Sequence, residues 1–526
     1  MIILIVAAIV LVLACANVAN LLLGRAGARM KEITIRQSMG AGRGRLIAQL
    51  LVEGAWLAAL GAGLGLVLAL GAIRYFASIQ VAPDFASNFA ARLDLRVLAY
   101  ALAASILAVI LSSLWPALRA TRVDLVSPTK EAAPRRARLW GRNALVAVQT
   151  ALAAMLLIAA SLFVKSFALA RAANPGFRVD DVLTASFDPS LVGYSEQRAR
   201  AFYRDLLEQT RNLPGVLDAT LGSHLPMGSD SQWDRVAPIG SATTEPMSVK
   251  YDSVQPGYFA AMATDILQGR AFDNRDRSGA TTVAIVNETL ARRLWPGDAI
   301  GRQIRFGVGK RAVALEIVGI ARDVKDHETV DPPAPYVYLP FPQQFRSTMT
   351  LFVHTAGDPI GFAPTLRREA QSLAADVPVY GVHTMRETFD AQGLLASRVM
   401  AQMVGATGVI GLLLGVAGLY AVGAFAVARG AREIGIRMAL GATGASVLRK
   451  TLASGLKLAF AGGVFGIAGA LALTRYLREF LDQVNPQDPA AFLGVSVLLL
   501  CLTLAACWIP ARRASRVDPA ITLRYE

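Results

Sequence analysis

Residues Ala431–Ala442 read AREIGIRMALGA and lie between two long apolar runs, Met400–Ala428 and Leu452–Leu473. The stretch has a twin in Lys31–Ala41, KEITIRQSMGA, which also joins two apolar runs. Glu32, Ile33, Ile35, Arg36, Gly40 and Ala41 match Glu433, Ile434, Ile436, Arg437, Gly441 and Ala442 at one constant offset. Both copies have helical spacing. Glu32/Arg36 and Glu433/Arg437 are i,i+4 pairs in the favourable acid-first order. Ile35/Met39 and Ile434/Met438 put apolar side chains one turn apart. Gly40 and Gly441 suit the left-handed residue that ends a helix. A basic loop that only fixes topology needs positive charge alone. A matched acid, two isoleucines and a terminal glycine at fixed spacing point instead to a short amphipathic helix that docks a soluble partner.

Working outward, the composition is that of a membrane protein: 54% hydrophobic and 17% charged, with a mean hydropathy of +0.44. Seven runs are long enough to span a bilayer: Met1–Leu23, Leu50–Ile73, Val97–Pro116, Ala144–Val164, Met400–Ala428, Leu452–Leu473 and Ala490–Pro510. The formal charge of +15 does not form a nucleic-acid footprint. Much of it sits in alternate membrane-flanking loops, among them Arg25–Arg45, Arg135–Arg142, Arg429–Arg437 and Arg512–Arg516. That bias puts the N-terminus and Lys165–Arg398 outside and the C-terminus in the cytoplasm. Cys15, Cys501 and Cys507 all lie in apolar runs, so no disulfide is expected in the external domain.

The repeat extends beyond the docking stretch. Gly54, Leu57, Gly61, Gly65, Arg74 and Tyr75 match Gly455, Leu458, Gly462, Gly466, Arg475 and Tyr476. Gly61-x-x-x-Gly65 and Gly462-x-x-x-Gly466 are expected at close helix packing. Asn17 and Asn20 near the inner end of the first run suit either helix–helix hydrogen bonds or interfacial solvation. Trp115-Pro116-Ala117 and Ile509-Pro510-Ala511 end the third run of each copy alike, and Val126–Gly141 reads as a basic linker.

Lys165–Arg398 mixes strand and helix signals. Val182–Phe187, Val216–Leu221, Thr282–Val286, Ala312–Ile320, Thr350–His354 and Val377–Val382 read as strands; Ser195–Leu213, Glu288–Leu294 and Ile360–Leu373 read as helices, the second capped by Asn287. The outer strand–helix units are expected to pair into a membrane-proximal lobe, with a second lobe, roughly Gly228–Pro342, inserted between them.

No catalytic constellation emerges. Gly307-Val308-Gly309-Lys310 is followed by Arg311, and Ile304 stands where a phosphate loop needs its first glycine. His224, His327, His354 and His383 are widely spaced. Asp323, Asp326, His327 and Glu328 read as a solvated acidic turn. No metal, cofactor or catalytic residue is assigned.

At the two docking stretches the chain resembles bacterial ABC permeases of the FtsX/MacB type, and the resemblance covers nearly all of it. Arg432–Ala442 and the ending Arg516–Glu526, RVDPAITLRYE, carry it, together with Asn174–Phe177, Pro256–Phe259, Asn287–Arg293 and Tyr336–Pro340 in the external domain. Two units in one chain are similar to the duplicated permeases known mainly from Acidobacteria. The resemblance implies an α-helical membrane protein of about seven spans with an α+β periplasmic core domain of two lobes, in the cell inner membrane. It divides the chain into a first permease unit (1–126), a basic cytoplasmic linker (127–143), an opening span (144–164), the periplasmic core domain (165–398) and a second permease unit (399–526). The first unit lacks the opening span and periplasmic domain of the second, so a shortened N-terminus is expected.

The resemblance further implies separate ABC ATPase subunits, which bring ATP and Mg and dock on the short helices; this chain needs no cofactor of its own. ATP-driven movement of the helices reshapes the periplasmic domain, in export of a hydrophobic compound, peptide or lipid-linked cargo, with a periplasmic adaptor and outer-membrane channel as further partners. The alternative is a signalling platform that controls a periplasmic hydrolase without transport.

Overall fold

A computed structural model describes residues 2–28, 43–77, 132–439 and 443–514, with short gaps at 229–230, 241–244, 296, 310–311, 326–332, 479–480 and 482–483, and a few isolated positions between 39 and 106. Leu169–Arg398 forms one compact unit; the helices before and after it belong to another.

Among the described residues, the first part of the chain holds three long helices, α1 (Ile2–Ala28), α2 (Arg43–Ala77) and α3 (Ala132–Ala172). The stretch expected to be a linker is therefore helical from Ala132 onward. Its alanines and arginines are good helix formers, and Pro134 falls in the first turn, where no intrahelical N–H is lost.

In the compact unit, β1 (Val182–Phe187), α4 (Glu196–Arg211) and β2 (Val216–Gly222) form one β-α-β unit. β10 (Met349–Thr355), α7 (Pro359–Leu373) and β11 (Val379–Thr384) form the second. The strands interleave antiparallel in the order β11-β1-β10-β2, with Ala185 opposite Leu351 and Leu351 opposite Leu221. Alternation decides the faces: Leu183, Ala185 and Phe187 turn to a core closed by Phe202 and Leu206 of α4 and Leu366 and Ala370 of α7. Removing each such leucine or phenylalanine from water contributes roughly 1.5–3 kcal/mol. Tyr203, fully buried in this core, donates its hydroxyl to the carbonyls of Phe187 and Ser347, which answers the polar end of an otherwise apolar contact.

Between β2 and β10 the chain inserts β3 (Gln232–Pro238), β4 (Met247–Val254), the short helix α5 (Tyr258–Ala261), β5 (Ile266–Gly269), β6 (Val283–Asn287), α6 (Glu288–Leu294), β7 (Gln303–Phe306), β8 (Val313–Ala321) and β9 (Tyr336–Pro340). The pairings β3–β4, β4–β9, β9–β6, β6–β8, β8–β7 and β7–β3 close on themselves. The insert is thus a small barrel, which leaves no open edge along that ring. Its core holds Val236, Val249, Ala284, Val286, Ile304 and Ile317, with Leu290 and Ala291 of α6. The outer sheet and the barrel have separate hydrophobic cores but share one hydrogen-bonded sheet, joined where Val254 of β4 pairs with Gly222 of β2.

Two caps anchor the insert. Asn287 accepts at Oδ1 from the amides of Leu290, 3.0 Å, and Tyr336, 2.9 Å, so the α6 cap also holds the start of β9. Asp323 accepts from Asn287 Nδ2 and from the amide and hydroxyl of Thr289. That is a structural role for the one described residue of the expected acidic turn.

After α8 (Met385–Thr388) and a π-helical turn, Phe389–Gly393, the chain forms α9 (Leu395–Ala439), α10 (Gly444–Leu477) and α11 (Pro489–Ala514). Four stretches are long and apolar enough to cross a membrane: Asn143–Ala172, Leu395–Ala421, Leu452–Leu477 and Pro489–Pro510. Leu4–Val18 and Ala59–Tyr75 are shorter apolar helices at two further expected spans, and most of Val97–Pro116 lies outside the described residues. The described residues thus carry four of the seven expected spans at full length.

Candidate functional site

Of the docking residues, Glu32, Ile33, Ile35, Arg36, Gly40 and Gly441 lie outside the described residues. Glu433, Ile434, Ile436 and Arg437 lie on α9. The expected separate short helix is instead the last turns of a 45-residue helix. Gly430 and Gly435 interrupt the run of helix formers there, and each costs roughly 1 kcal/mol, too little to end a long helix.

The helix unit is organised around α3. Gly408, Gly411, Gly415 and Gly418 of α9 form one line along it. A methyl group on Gly408 would stand 2.8 Å from Ala160 Cβ, one on Gly411 3.0 Å from Leu156 Cδ1, one on Gly415 3.2 Å from Ala153 Cβ, and one on Gly418 2.8 Å from Gln149 Oε1. Gly462, Gly466 and Gly469 of α10 form a second line. At Gly462 the added methyl would meet Thr150 Cβ at 2.6 Å and the Ala147 carbonyl at 2.7 Å; at Gly466 it would meet Ala154 Cβ at 2.6 Å. Backbones come this close only where side chains are small. Gly61 and Gly65, their twins on α2, meet nothing within 4 Å among the described residues. α11 closes on the pair through Cys507, which touches Gly455, and Pro510, 3.1 Å from the methyl position of Gly423.

Polar contacts mark the ends of these helices. Lys165 Nζ and Asp488 Oδ2 pair at 2.5 Å between α3 and the start of α11. Gln402 of α9 donates to the Tyr75 hydroxyl of α2 at 3.2 Å. Within the compact unit, Arg171 at the end of α3 faces Asp390 of the π-helical turn at 3.7 Å, and Gly393 sits against the Met227 sulfur.

The compact unit's buried polar groups serve structure. Asp252 accepts at Oδ1 from the Ser223 amide and hydroxyl and the His224 amide, at 2.7–3.0 Å. Arg270 forks onto Asp276 at 2.7 and 2.8 Å. Partial burial opposes ionisation of Asp276, yet the Arg270 hydrogen bonds outweigh it and hold its carboxyl below the ordinary range. Asp188 behaves alike: burial raises its pKa, but hydrogen bonds from Ser190, Ser347 and Thr348 prevail and lower it. Gly307 and Gly309, both at positive φ, form the tight hairpin between β7 and β8, not the strand-to-helix loop that cradles phosphate. Among the described residues no group of three or more His, Cys, Asp or Glu side chains is placed to hold a metal ion.

This arrangement, a membrane helix unit interrupted by a β-α-β sheet carrying a small barrel, is matched by two families. The MacB-like periplasmic core domain matches residues 145–360. The FtsX-like permease C-terminal family matches twice, over 4–125 and 405–519, the two halves of the internal repeat. The chain is a permease of the FtsX/MacB type. Among its relatives, the uncharacterized ABC transporter permease YknZ of Bacillus subtilis (strain 168) is 25% identical over 311 residues, 55% of this chain and 75% of its own length. The macrolide export ATP-binding/permease protein MacB of Escherichia coli (strain K12) is 25% identical over 318 residues, 55% of this chain and 47% of its own length. The chain therefore spans about half the length of the MacB relatives it matches. Among solved structures, the periplasmic region of MacB from Actinobacillus actinomycetemcomitans aligns over 38% of this chain and 89% of its own, at 12% identity and a TM-score of 0.27. FtsX/MacB-type permeases work with ATPase subunits, and the stretches read as docking helices fall within the two FtsX-like segments.

Proposed function

We propose that this permease transmits ATP hydrolysis by separate cytoplasmic subunits to its periplasmic domain, in export of a hydrophobic compound, peptide or lipid-linked cargo. The observation that carries the reading is α9. It runs unbroken from Leu395, where the periplasmic domain ends, to Ala439, within the docking stretch. Forty-five residues at 1.5 Å each make a rod of about 68 Å, about twice the thickness of the bilayer's apolar core. A displacement at its cytoplasmic end reaches the domain without an intervening joint. The two glycine lines permit α3 to move against α9 and α10 with little side-chain interlocking.

In this reading the C-terminus is cytoplasmic and an adaptor and outer-membrane channel receive the cargo. The MacB relatives join ATP-binding and permease functions in one chain, by their name; here ATP and Mg come with a partner. The relatives named for macrolide export support a hydrophobic cargo. The test is co-purification with the ATPase subunits. Glu433→Lys reverses the charge of the acid spaced i,i+4 from Arg437, and Gly441→Val puts a β-branched residue at the glycine that the sequence expects to end the docking helix. Both are expected to lower partner binding and stimulated ATP turnover. Unchanged binding and turnover in both overturn the docking role.

A further inference from the structure

Where the periplasmic domain hands over to α9, two backbone outliers touch. The first is the π-helical turn Phe389–Gly393, directly before α9. Its wide bond runs from the Leu394 amide to the Phe389 carbonyl at 3.1 Å. Such a turn holds one residue more than an α-helical turn, and the two differ by a single register step. Asp390 within it buries Oδ1 with no hydrogen-bond partner among the described residues, a further cost of holding this register.

The second outlier is Met227, in the connection that follows β2. Three described non-glycine residues have positive φ: Asp181, Met227 and Ala263. Asp181 and Ala263 are exposed. Met227, at φ 65°, is fully buried, so its strained backbone is held by what surrounds it. Its sulfur lies against the π-helical turn: a methyl group on Gly393 would stand 2.8 Å from Met227 Sδ and 3.3 Å from Cε. The same connection is stapled to the barrel at its other end. Ser223 Oγ donates to Asp252 Oδ1 of β4 at 2.7 Å and accepts from the Ser253 amide at 2.9 Å. Between the two ends the Gly228 amide donates to the Leu225 carbonyl at 2.7 Å and closes a tight turn. A short, stiff piece of chain therefore joins the start of α9 to β4.

We propose that the π-helical turn is a two-position switch and that the Met227–Gly393 contact passes its shift to the barrel. Relaxing the turn to α-helical register moves Gly393 by about 1.5 Å along the helix. Met227 fills the space beside Gly393 and has no slack, so it follows; packed contacts change between arrangements and do not deform smoothly. Ser223 carries the movement to β4. The switch presupposes the transmission by α9 proposed above and names the place where that motion leaves the outer sheet for the barrel.

The test is hydrogen exchange of the full chain in lipid nanodiscs, read by mass spectrometry over residues 385–395, 223–228 and 250–254, with α4 as the control for global loss of stability. Gly393→Ala drives a methyl group into Met227 and is expected to speed exchange in all three stretches about fivefold or more. Adding Met227→Gly, which removes the sulfur and suits a positive φ, should abolish the increase over 250–254. Coupling is reciprocal, so Ser223→Ala should speed exchange over 385–395 as well, and should not do so in the Met227→Gly background. An increase confined to 385–395 in Gly393→Ala overturns the coupling, as does one over 250–254 that survives Met227→Gly. Should Gly393→Ala fail to fold, Ser223→Ala decides: no change over 385–395, or the same change with Met227→Gly, overturns it. No ATPase takes part in these measurements, so their failure leaves the docking role standing, and loss of ATPase binding in Glu433→Lys leaves this contact intact.

Discussion

Gly462 of α10 lies against Thr150 of α3 so closely that a methyl group on the glycine would stand 2.6 Å from the threonine Cβ. The side chain cannot yield readily: Thr150 is buried and its hydroxyl donates to the Val146 carbonyl at 2.9 Å. Gly462→Leu is therefore expected to push α10 from α3 and to cost about 1–3 kcal/mol, the usual range for overpacking. Gly61→Leu, at the twin position with nothing within 4 Å among the described residues, should cost far less. Thermal melting of the purified variants checks the contrast, and equal losses would count against the glycine seam.

The seam was only half legible in the sequence. Gly462 and Gly466 stand out because they recur at the constant offset. Gly408, Gly411, Gly415 and Gly418 have Ala7, Val10, Ala14 and Asn17 as twins, so recurrence passes over them, although their helical spacing was visible. In the periplasmic domain the β-α-β units were readable from alternating strands such as Val182–Phe187. The barrel was not. β5 and β7 are four residues long, and β4 buries Lys250, Asp252 and Ser253, which breaks the apolar alternation that marks a strand. The docking stretch was readable as a helix, but its fusion with the preceding span was not, because the apolar run Met400–Ala428 stops at Arg429.

Asp252 ties the barrel to the outer sheet. It is buried at the β2–β4 junction and its Oδ1 accepts three hydrogen bonds from Ser223 and His224. Asp252→Ala leaves buried donors without that acceptor and should destabilise the domain by at least about 2 kcal/mol. Asp252→Asn keeps an oxygen in place and should lose less. The midpoint of denaturant unfolding, followed by Trp233 fluorescence in the barrel, distinguishes the two.

His354 gives the periplasmic domain a pH dependence. On β10 its Nε2 faces Arg178 Nη1 at 3.0 Å, an arrangement that needs the imidazole neutral at Nε2. Burial, then the Arg178 charge, lowers its pKa, against smaller opposing effects of Asp181 and Asp218. Because the folded value is depressed, the unfolded chain takes up the proton first as pH falls. The stabilising contribution is complete above the unfolded value of about 6.5 and is lost as pH falls through the folded one. The wild type should therefore melt at a lower temperature at pH ~5.5 than at pH ~7.5, and His354→Gln should narrow that difference. An unchanged difference would assign the acid sensitivity to other groups.

Orientation is the property on which the proposed transmission depends, and two serines test it. Ser278 is exposed between β5 and β6, and Ser446 is exposed in the first turn of α10. The docking stretch on the last turns of α9 comes just before α10, with Arg432 and Arg437 within it and Arg429 just ahead of it. Positive charge of this density belongs on the cytoplasmic face. α10 then crosses toward the end at which Phe163, Val404 and Leu477 meet, and the chain enters Leu169–Arg398 from that same end of α3. A cysteine at Ser278 should react with an impermeant thiol reagent in intact spheroplasts. One at Ser446 should react only after the membrane is opened. Cys15, Cys501 and Cys507 lie in the apolar helices, and replacing them with alanine or serine first removes background labelling. The reverse pattern would place the docking stretch on the wrong side of the membrane for a cytoplasmic ATPase and would remove the basis of the coupling.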